Sequence, residues 1–208
     1  MRVYDTITAE RRLLIIRIAR LSDAEWATPS LCAGWDVRHV LAHLITPFLV
    51  SKPQLLGYAV KGRGVAGGMD LAARDIAGRL SADRMLETLG EHASSRFRPP
   101  GMPAGASLTD IVCHGADIRW ALGDSTDYWG DPERLGPMLD FLIDVRARAG
   151  FVPRGRLMGL QLTATDLNWS VGEGPQVKGP GLALAMGILG RPSARPLLTG
   201  EGVGRLFD

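Results

Sequence analysis

The sequence predicts a mainly α fold, with a helical bundle over residues 1–150 followed by a small C-terminal α/β domain over residues 151–208. Two observations carry that reading. Residues 1–150 hold 15 Gly and 8 Pro, whereas the last 58 residues hold 11 Gly and 5 Pro. Helix interiors tolerate neither residue well, so the denser tail favours short strands and turns. The apolar periodicity also changes near Leu157, from a helical repeat to alternation.

Each element has its own signal. Residues 6–21 set Ile7, Leu13, Leu14, Ile16, Ile18 and Leu21 at helical spacing with arginines between them. A second helix starts at Trp35–Asp36, with Asp36 as N-cap before Val37, Val40, Leu41 and Leu44. Gly62–Gly68 reads as a flexible loop able to act as a lid, since it lacks the GK[ST] ending of a phosphate loop despite Lys61 and Arg63. It leads into a helical region over residues 70–97, broken near Ser81. Ser107 reads as the N-cap of a fourth helix, with Asp110 three positions on and Gly123 as its end. Residues 132–149 form a fifth helix. In the tail, Met158, Leu160, Leu162 and Ala164 alternate with small and polar residues across Leu157–Asp166, a strand period. Leu167–Val171, Gln176–Lys178 and Leu197–Thr199 are further candidate strands, and Pro180 opens a helix running to Leu189.

Composition excludes several classes. The chain is 46% hydrophobic and 22% charged, enough for a sizeable core. With 24 basic against 22 acidic residues it has no charge surplus to recruit nucleic acid. The longest late apolar stretch, Leu182–Leu189, is broken by Gly187 and too short for a membrane span. The first twenty residues carry five arginines around the short apolar run Leu13–Ile16, unlike a signal peptide. Cys32 and Cys113 build no disulfide framework, so a reduced, cytoplasmic protein is expected.

The chemistry concentrates on histidines. His39 and His43 are four apart on one face of the second helix, and Asp110 and His114 are four apart on the fourth. Two such pairs on facing helices can converge on one ion. Imidazole with carboxylate suits zinc, nickel or ferrous iron, and two His with one carboxylate leave coordination positions open. The plainer alternative is that the His pair arose by chance and that Asp110 complements a helix start. Asp117, one turn from His114, is either a carboxylate that orients it or half of a surface ion pair with Arg119 or Arg38. Cys113 points about 100° away from His114 around the helix and reads as core. Cys32 reads as structural, and Trp35 as an anchor for the helix entry. Arg191 and Arg195 are either solvated surface or contacts for an anionic ligand, which makes Arg191 the candidate for cofactor binding.

Three stretches carry a family resemblance. Leu31–Leu44 (LCAGWDVRHVLAHL) resembles the segment opening the second helix of the mycothiol-dependent maleylpyruvate isomerase family, in the DinB-like superfamily. Asp110–Gly123 (DIVCHGADIRWALG) is similar to its fourth-helix block, and Ala164–Gly172 with Gly179–Pro180 and Gly190–Pro192 to its C-terminal domain. The resemblance implies a DinB-like four-helix bundle that binds a divalent metal, most often Zn2+, through residues matching His43, Asp110 and His114. Two departures stand out. Asp110 occupies a position where Glu or His is commoner, and His39 one where Asp or a neutral residue is usual, so His39 is a possible substitute or fourth ligand.

The implied cofactor is mycothiol, and the implied partners are that small thiol and an electrophilic substrate. No nucleic acid or membrane is involved, and the protein acts as a monomer or homodimer. A metal-bound thiol ionises, and its thiolate attacks an electrophilic carbon. Addition, rotation and elimination isomerise a cis double bond, as in maleylpyruvate, whereas addition alone makes the protein an S-transferase. The alternatives are a non-catalytic metal- or ligand-binding protein on the same scaffold and a metal-free helical interaction module.

Overall fold

The structure, a computed structural model, describes residues 2–208. They form two compact units, one of residues 2–97 and 110–125, the other of residues 98–109 and 126–208.

The first unit is helical. It contains α1 (Val3–Ile18), α2 (Asp23–Trp26), α3 (Val37–Leu49), α4 (Lys52–Lys61), α5 (Val65–Arg79), α6 (Ala82–Glu91) and, from Asp110 onward, most of α7 (Ala104–Ala121). Helix α6 packs on α1 and α3, and α5 packs on α3 and α4. Its core is the buried stripe of each helix: Ile7, Leu14 and Ile18 of α1, Val40, Leu41 and Ile45 of α3, Ile76 of α5, Met85 and Leu89 of α6. Burying each such side chain contributes roughly 1.5–3 kcal/mol. Ile16 belongs to the apolar pattern of α1 yet lies off this stripe, 74% exposed.

Helix starts are set locally. Asp36 caps α3, its Oδ1 accepting the His39 backbone N–H at 2.8 Å. Ser81 caps α6 in the same way and places the expected break between α5 and α6. Ser107 is not the first-turn N-cap the pattern suggests: α7 already begins at Ala104, because the chain turns helical at Pro103, whose carbonyl accepts the Ala106 N–H at 3.0 Å. The glycine-rich segment is a tight corner between α4 and α5, with Gly67 and Gly68 already helical. A Cβ on Gly62 would lie 2.2 Å from the Gly67 carbonyl carbon, and one on Gly68 2.7 Å from Ala59 Cα. Close backbone approach explains these glycines, which corrects their reading as a loop or lid.

In the second unit the predicted fifth helix is divided. A 3-10 turn (Pro132–Leu135) precedes α8 (Gly136–Ile143), and another (Val145–Ala149) follows it. Asp144 interrupts the run in an extended conformation, its carboxylate accepting the Arg146 N–H at 2.8 Å. Strands β1 (Gln161–Ala164), β2 (Ser170–Val171) and β3 (Gln176–Gly179) form a sheet of order β2-β1-β3, with β1 antiparallel to β2 and parallel to β3. Helix α9 (Gly181–Ile188) starts after Pro180, is buried along its whole length and packs on α8, β1 and β3. A short α10 (Val203–Phe207) closes the chain. Leu197–Thr199 supplies a single bridge, Thr199 to Lys178, where a strand was expected. Among the described residues no helix is long and apolar enough to cross a membrane.

Candidate metal centre

The Asp36 cap fixes where α3 begins, and His43 follows two turns later. On α7, Asp110 and His114 share a face by their four-residue spacing. The structure brings these three side chains together. His43 Nε2 lies 3.3 Å and His114 Nε2 3.7 Å from Asp110 Oδ1, and one donor atom from each residue lies within 4.8 Å of the others. The imidazoles meet edge to face, with ring centroids 4.8 Å apart. Both histidine side chains are 14% exposed and that of Asp110 is 31% exposed, so the cluster is recessed and open on the aspartate side.

The spacing tests whether a metal fits. Ligands about 2.0–2.1 Å from a tetrahedral zinc ion lie about 3.3–3.4 Å apart, whereas adjacent octahedral ligands lie about 2.9 Å apart. The 3.3 Å edge matches the tetrahedral value, and the 3.7 Å edge is wider still. Two nitrogen donors and one carboxylate oxygen are a donor set that suits a divalent ion such as zinc, and the three lie close enough to share one.

The surroundings fix charge and tautomer. His114 donates its Nδ1–H to Asp117 Oδ2 at 2.9 Å, and the Asp117 side chain is fully buried. Asp117 is therefore the orienting carboxylate of the two sequence alternatives, and the other ring nitrogen, Nε2, faces Asp110. Burial pushes the Asp110 carboxyl upward, but His43, His114 and Arg11 together outweigh it and hold the group below the ordinary carboxylate range. Arg11 of α1 is only 6% exposed. Its Nη1 donates to the carbonyls of His92, Ala93 and Ser95 at 3.2, 3.1 and 2.9 Å, and its guanidinium carbon lies 5.4 Å from the Phe48 ring centroid.

Other candidates fall elsewhere. His39 turns back to its own cap, its Nδ1 2.6 Å from Asp36 Oδ1, and is not among the clustered donors. Cys32 joins His114 and Asp117 in a second group of neighbouring donor atoms, and Cys113 is buried in the core. Arg191 lies in the second unit, where its Nη1 donates to the Leu189 carbonyl at 3.1 Å. Arg195 there lies over the Phe207 ring at 5.8 Å.

Trp35 does more than anchor the helix entry. Its ring centroid lies 5.0 Å from that of His43 and 6.2 Å from that of His114. Its Nε1–H donates to Asp70 Oδ1 at 2.6 Å, Arg74 Nε lies 3.0 Å from both Asp70 oxygens, and Arg74 Nη2 donates to the Gly34 carbonyl at 3.0 Å. The Arg74 guanidinium first, and then the indole N–H, hold the Asp70 carboxyl below its ordinary range against the upward push of burial. Sequence reasoning missed Asp70 and Arg74, because an acid and a base four apart on a helix look like any surface pair.

Comparison with known proteins agrees with this architecture. The family described as the mycothiol maleylpyruvate isomerase N-terminal domain matches residues 7–119. No curated protein sequence matches the chain. Two crystal structures share its fold: a mycothiol-dependent maleylpyruvate isomerase (15% identity, TM-score 0.52) and a histidine-to-alanine variant of such an enzyme (14%, 0.51). Each alignment covers 97% of this chain and 93% of the other. With more than half of its length inside the family match, from Ile7 to Arg119, the chain belongs to the mycothiol maleylpyruvate isomerase N-terminal domain family.

Proposed function

We propose that the protein is a mycothiol-dependent isomerase that acts on a small electrophile with a cis double bond, of the maleylpyruvate type, at a zinc centre held by His43, Asp110 and His114. The observation that carries this reading is the convergence of those three donors within 4.8 Å of one another in a chain of this family. When bound, the ion lowers the pKa of a coordinated thiol, so that thiolate, the nucleophile for cis–trans isomerisation, exists at neutral pH.

The chain's own residues prepare the place. His43 and His114 present Nε2 atoms, and Asp117 accepts the Nδ1 proton of His114 so that its ring and tautomer stay fixed. Asp110, whose carboxyl lies below the ordinary carboxylate range, supplies the negative charge that a dication requires. Three protein donors leave room for an exogenous ligand, and the exposure of Asp110 gives it a path in. A cofactor that works as a free thiol places the enzyme in the cytoplasm.

Two measurements on protein purified without added zinc test the reading. Metal analysis should find about one divalent ion per chain, and maleylpyruvate should isomerise only when mycothiol is present. Consumption of the thiol into a stable thioether would make the protein an S-transferase, bound metal without turnover would make it a binding protein, and the absence of metal would contradict the centre.

A further inference from the structure

We infer that Asp70 and Arg74 of α5 are positioning residues of this centre, acting through the Trp35 indole that they hold against the His43 ring. The inference rests on the proposed metal centre and starts from an asymmetry between its two histidines. His114 has a hydrogen-bonded orienter in Asp117. His43 has none: its Nδ1 is buried and has no hydrogen-bond partner among the described residues. Metal-bound histidines almost always have the second nitrogen held, because an imidazole free to turn about its side-chain torsions presents its donor atom poorly.

The Trp35 ring supplies the missing constraint by packing. Its centroid is 5.0 Å from that of His43 at an interplanar angle of 43°, and the same indole reaches His114 at 6.2 Å. An indole beside a helix entry holds a neighbour only if it is itself fixed. Asp70 fixes it through the 2.6 Å bond from Nε1–H, and Arg74 fixes Asp70 with Nε 3.0 Å from each carboxylate oxygen. Arg74 also bonds the carbonyl of Gly34, the residue before Trp35, and so ties the indole and its backbone to one point on α5. The Asp70 and Arg74 side chains are 38% and 46% exposed. A pair this open adds little to fold stability, so positional control of Trp35 is the larger effect available to it.

The consequence is readable in cobalt affinity, measured by competition with a chromogenic chelator. Asp70→Ala should weaken cobalt binding about tenfold, at the lower end of the loss seen when an outer partner of a metal ligand is removed. Trp35→Phe, which keeps an aromatic face but loses the N–H, should do the same. The double variant should be no weaker than either single one, since both remove one link of one chain. Asp70→Asn keeps an acceptor oxygen for the indole and should restore most of the affinity, a rescue that a general loss of stability would not give. The visible spectrum of bound cobalt should shift in Asp70→Ala and stay unchanged in an Arg84→Ala control, which breaks only the exposed pairs with Glu87 and Glu91 on α6. Wild-type affinity and spectrum in both Asp70→Ala and Trp35→Phe would overturn the inference while leaving the centre intact, as would losses that add in the double variant. Failure of the wild-type protein itself to bind cobalt would remove the centre and the inference together.

Discussion

The sharpest perturbation of the centre leaves all three donors in place. Asp117→Ala removes the acceptor of the His114 Nδ1 proton, now 2.9 Å away and fully buried. Three losses follow, and their sizes differ. The neutral ring becomes free to carry its proton on Nε2, which costs a factor of about two in metal affinity if both tautomers are then equally populated. The ring also loses its fixed orientation and the basicity that a carboxylate partner lends it. Together these should lower zinc affinity by about 10–100-fold, or about 1.4–2.8 kcal/mol. The buried N–H left without a partner should separately cost the metal-free fold roughly 1–3 kcal/mol. Asp117→Asn retains an acceptor oxygen without the charge and should fall between wild type and Asp117→Ala on both scales. Chelator competition at fixed pH reads the first quantity, and urea unfolding of the metal-free protein reads the second. Zinc affinity within about twofold of wild type in Asp117→Ala would refute the reasoning, because tautomer choice alone would then account for everything Asp117 does.

Further outcomes follow from other parts of the structure. His43→Ala should abolish stoichiometric metal, whereas His39→Ala should keep it, since the His39 ring is bonded to Asp36; equal losses by metal analysis would put His39 among the ligands. Gly68→Ala places a Cβ 2.7 Å from both the Cα and the N of Ala59, backbone that cannot yield as a side chain does. Overpacking of roughly 1–3 kcal/mol should therefore exceed the ~1 kcal/mol that alanine gains in helix propensity and lower the urea midpoint. Asp144, hydrogen-bonded by the Arg146 side chain and backbone N–H, should titrate at about 2 by NMR, and Arg146→Ala, which keeps the backbone bond, should return it only part of the way toward the ordinary carboxylate range. Because the folded value lies below the unfolded one, the pair's contribution is complete above the unfolded carboxylate range and disappears as pH falls toward 2.

What the sequence revealed and what it hid divide along physical lines. Local signals translated well. The Asp36 cap depends on a bond three residues long, as does the Ser81 break, and both stand where the pattern puts them. That His43, Asp110 and His114 lie together was legible because helical spacing forces Asp110 and His114 onto one face and the family pattern supplies the partner helix. Signals that depend on a distant partner failed. The alternation over Leu157–Asp166 is ten residues long, yet only Gln161–Ala164 forms a strand, because its partner β3 is itself only four residues long. Ser107 has a capping side chain, but Pro103 had already started the helix one turn earlier. His39 carries the same spacing argument as its neighbour, yet a carboxylate three residues back captures its ring. Asp70 was invisible for a similar reason: its link to Trp35 spans thirty-five residues, and nothing in the helix that carries it announces a tertiary role.

The central claim is that these three side chains hold a metal with room for a thiol, and cobalt substitution tests it most directly. Adding mycothiol to the cobalt protein should produce a sulfur-to-metal charge-transfer band and release a proton, because a coordinated thiol is deprotonated outright. His114→Ala should lose the band along with the metal. A cobalt spectrum indifferent to saturating mycothiol, with the metal demonstrably bound at His43, Asp110 and His114, would contradict thiol activation and leave a metal-binding protein without the proposed chemistry.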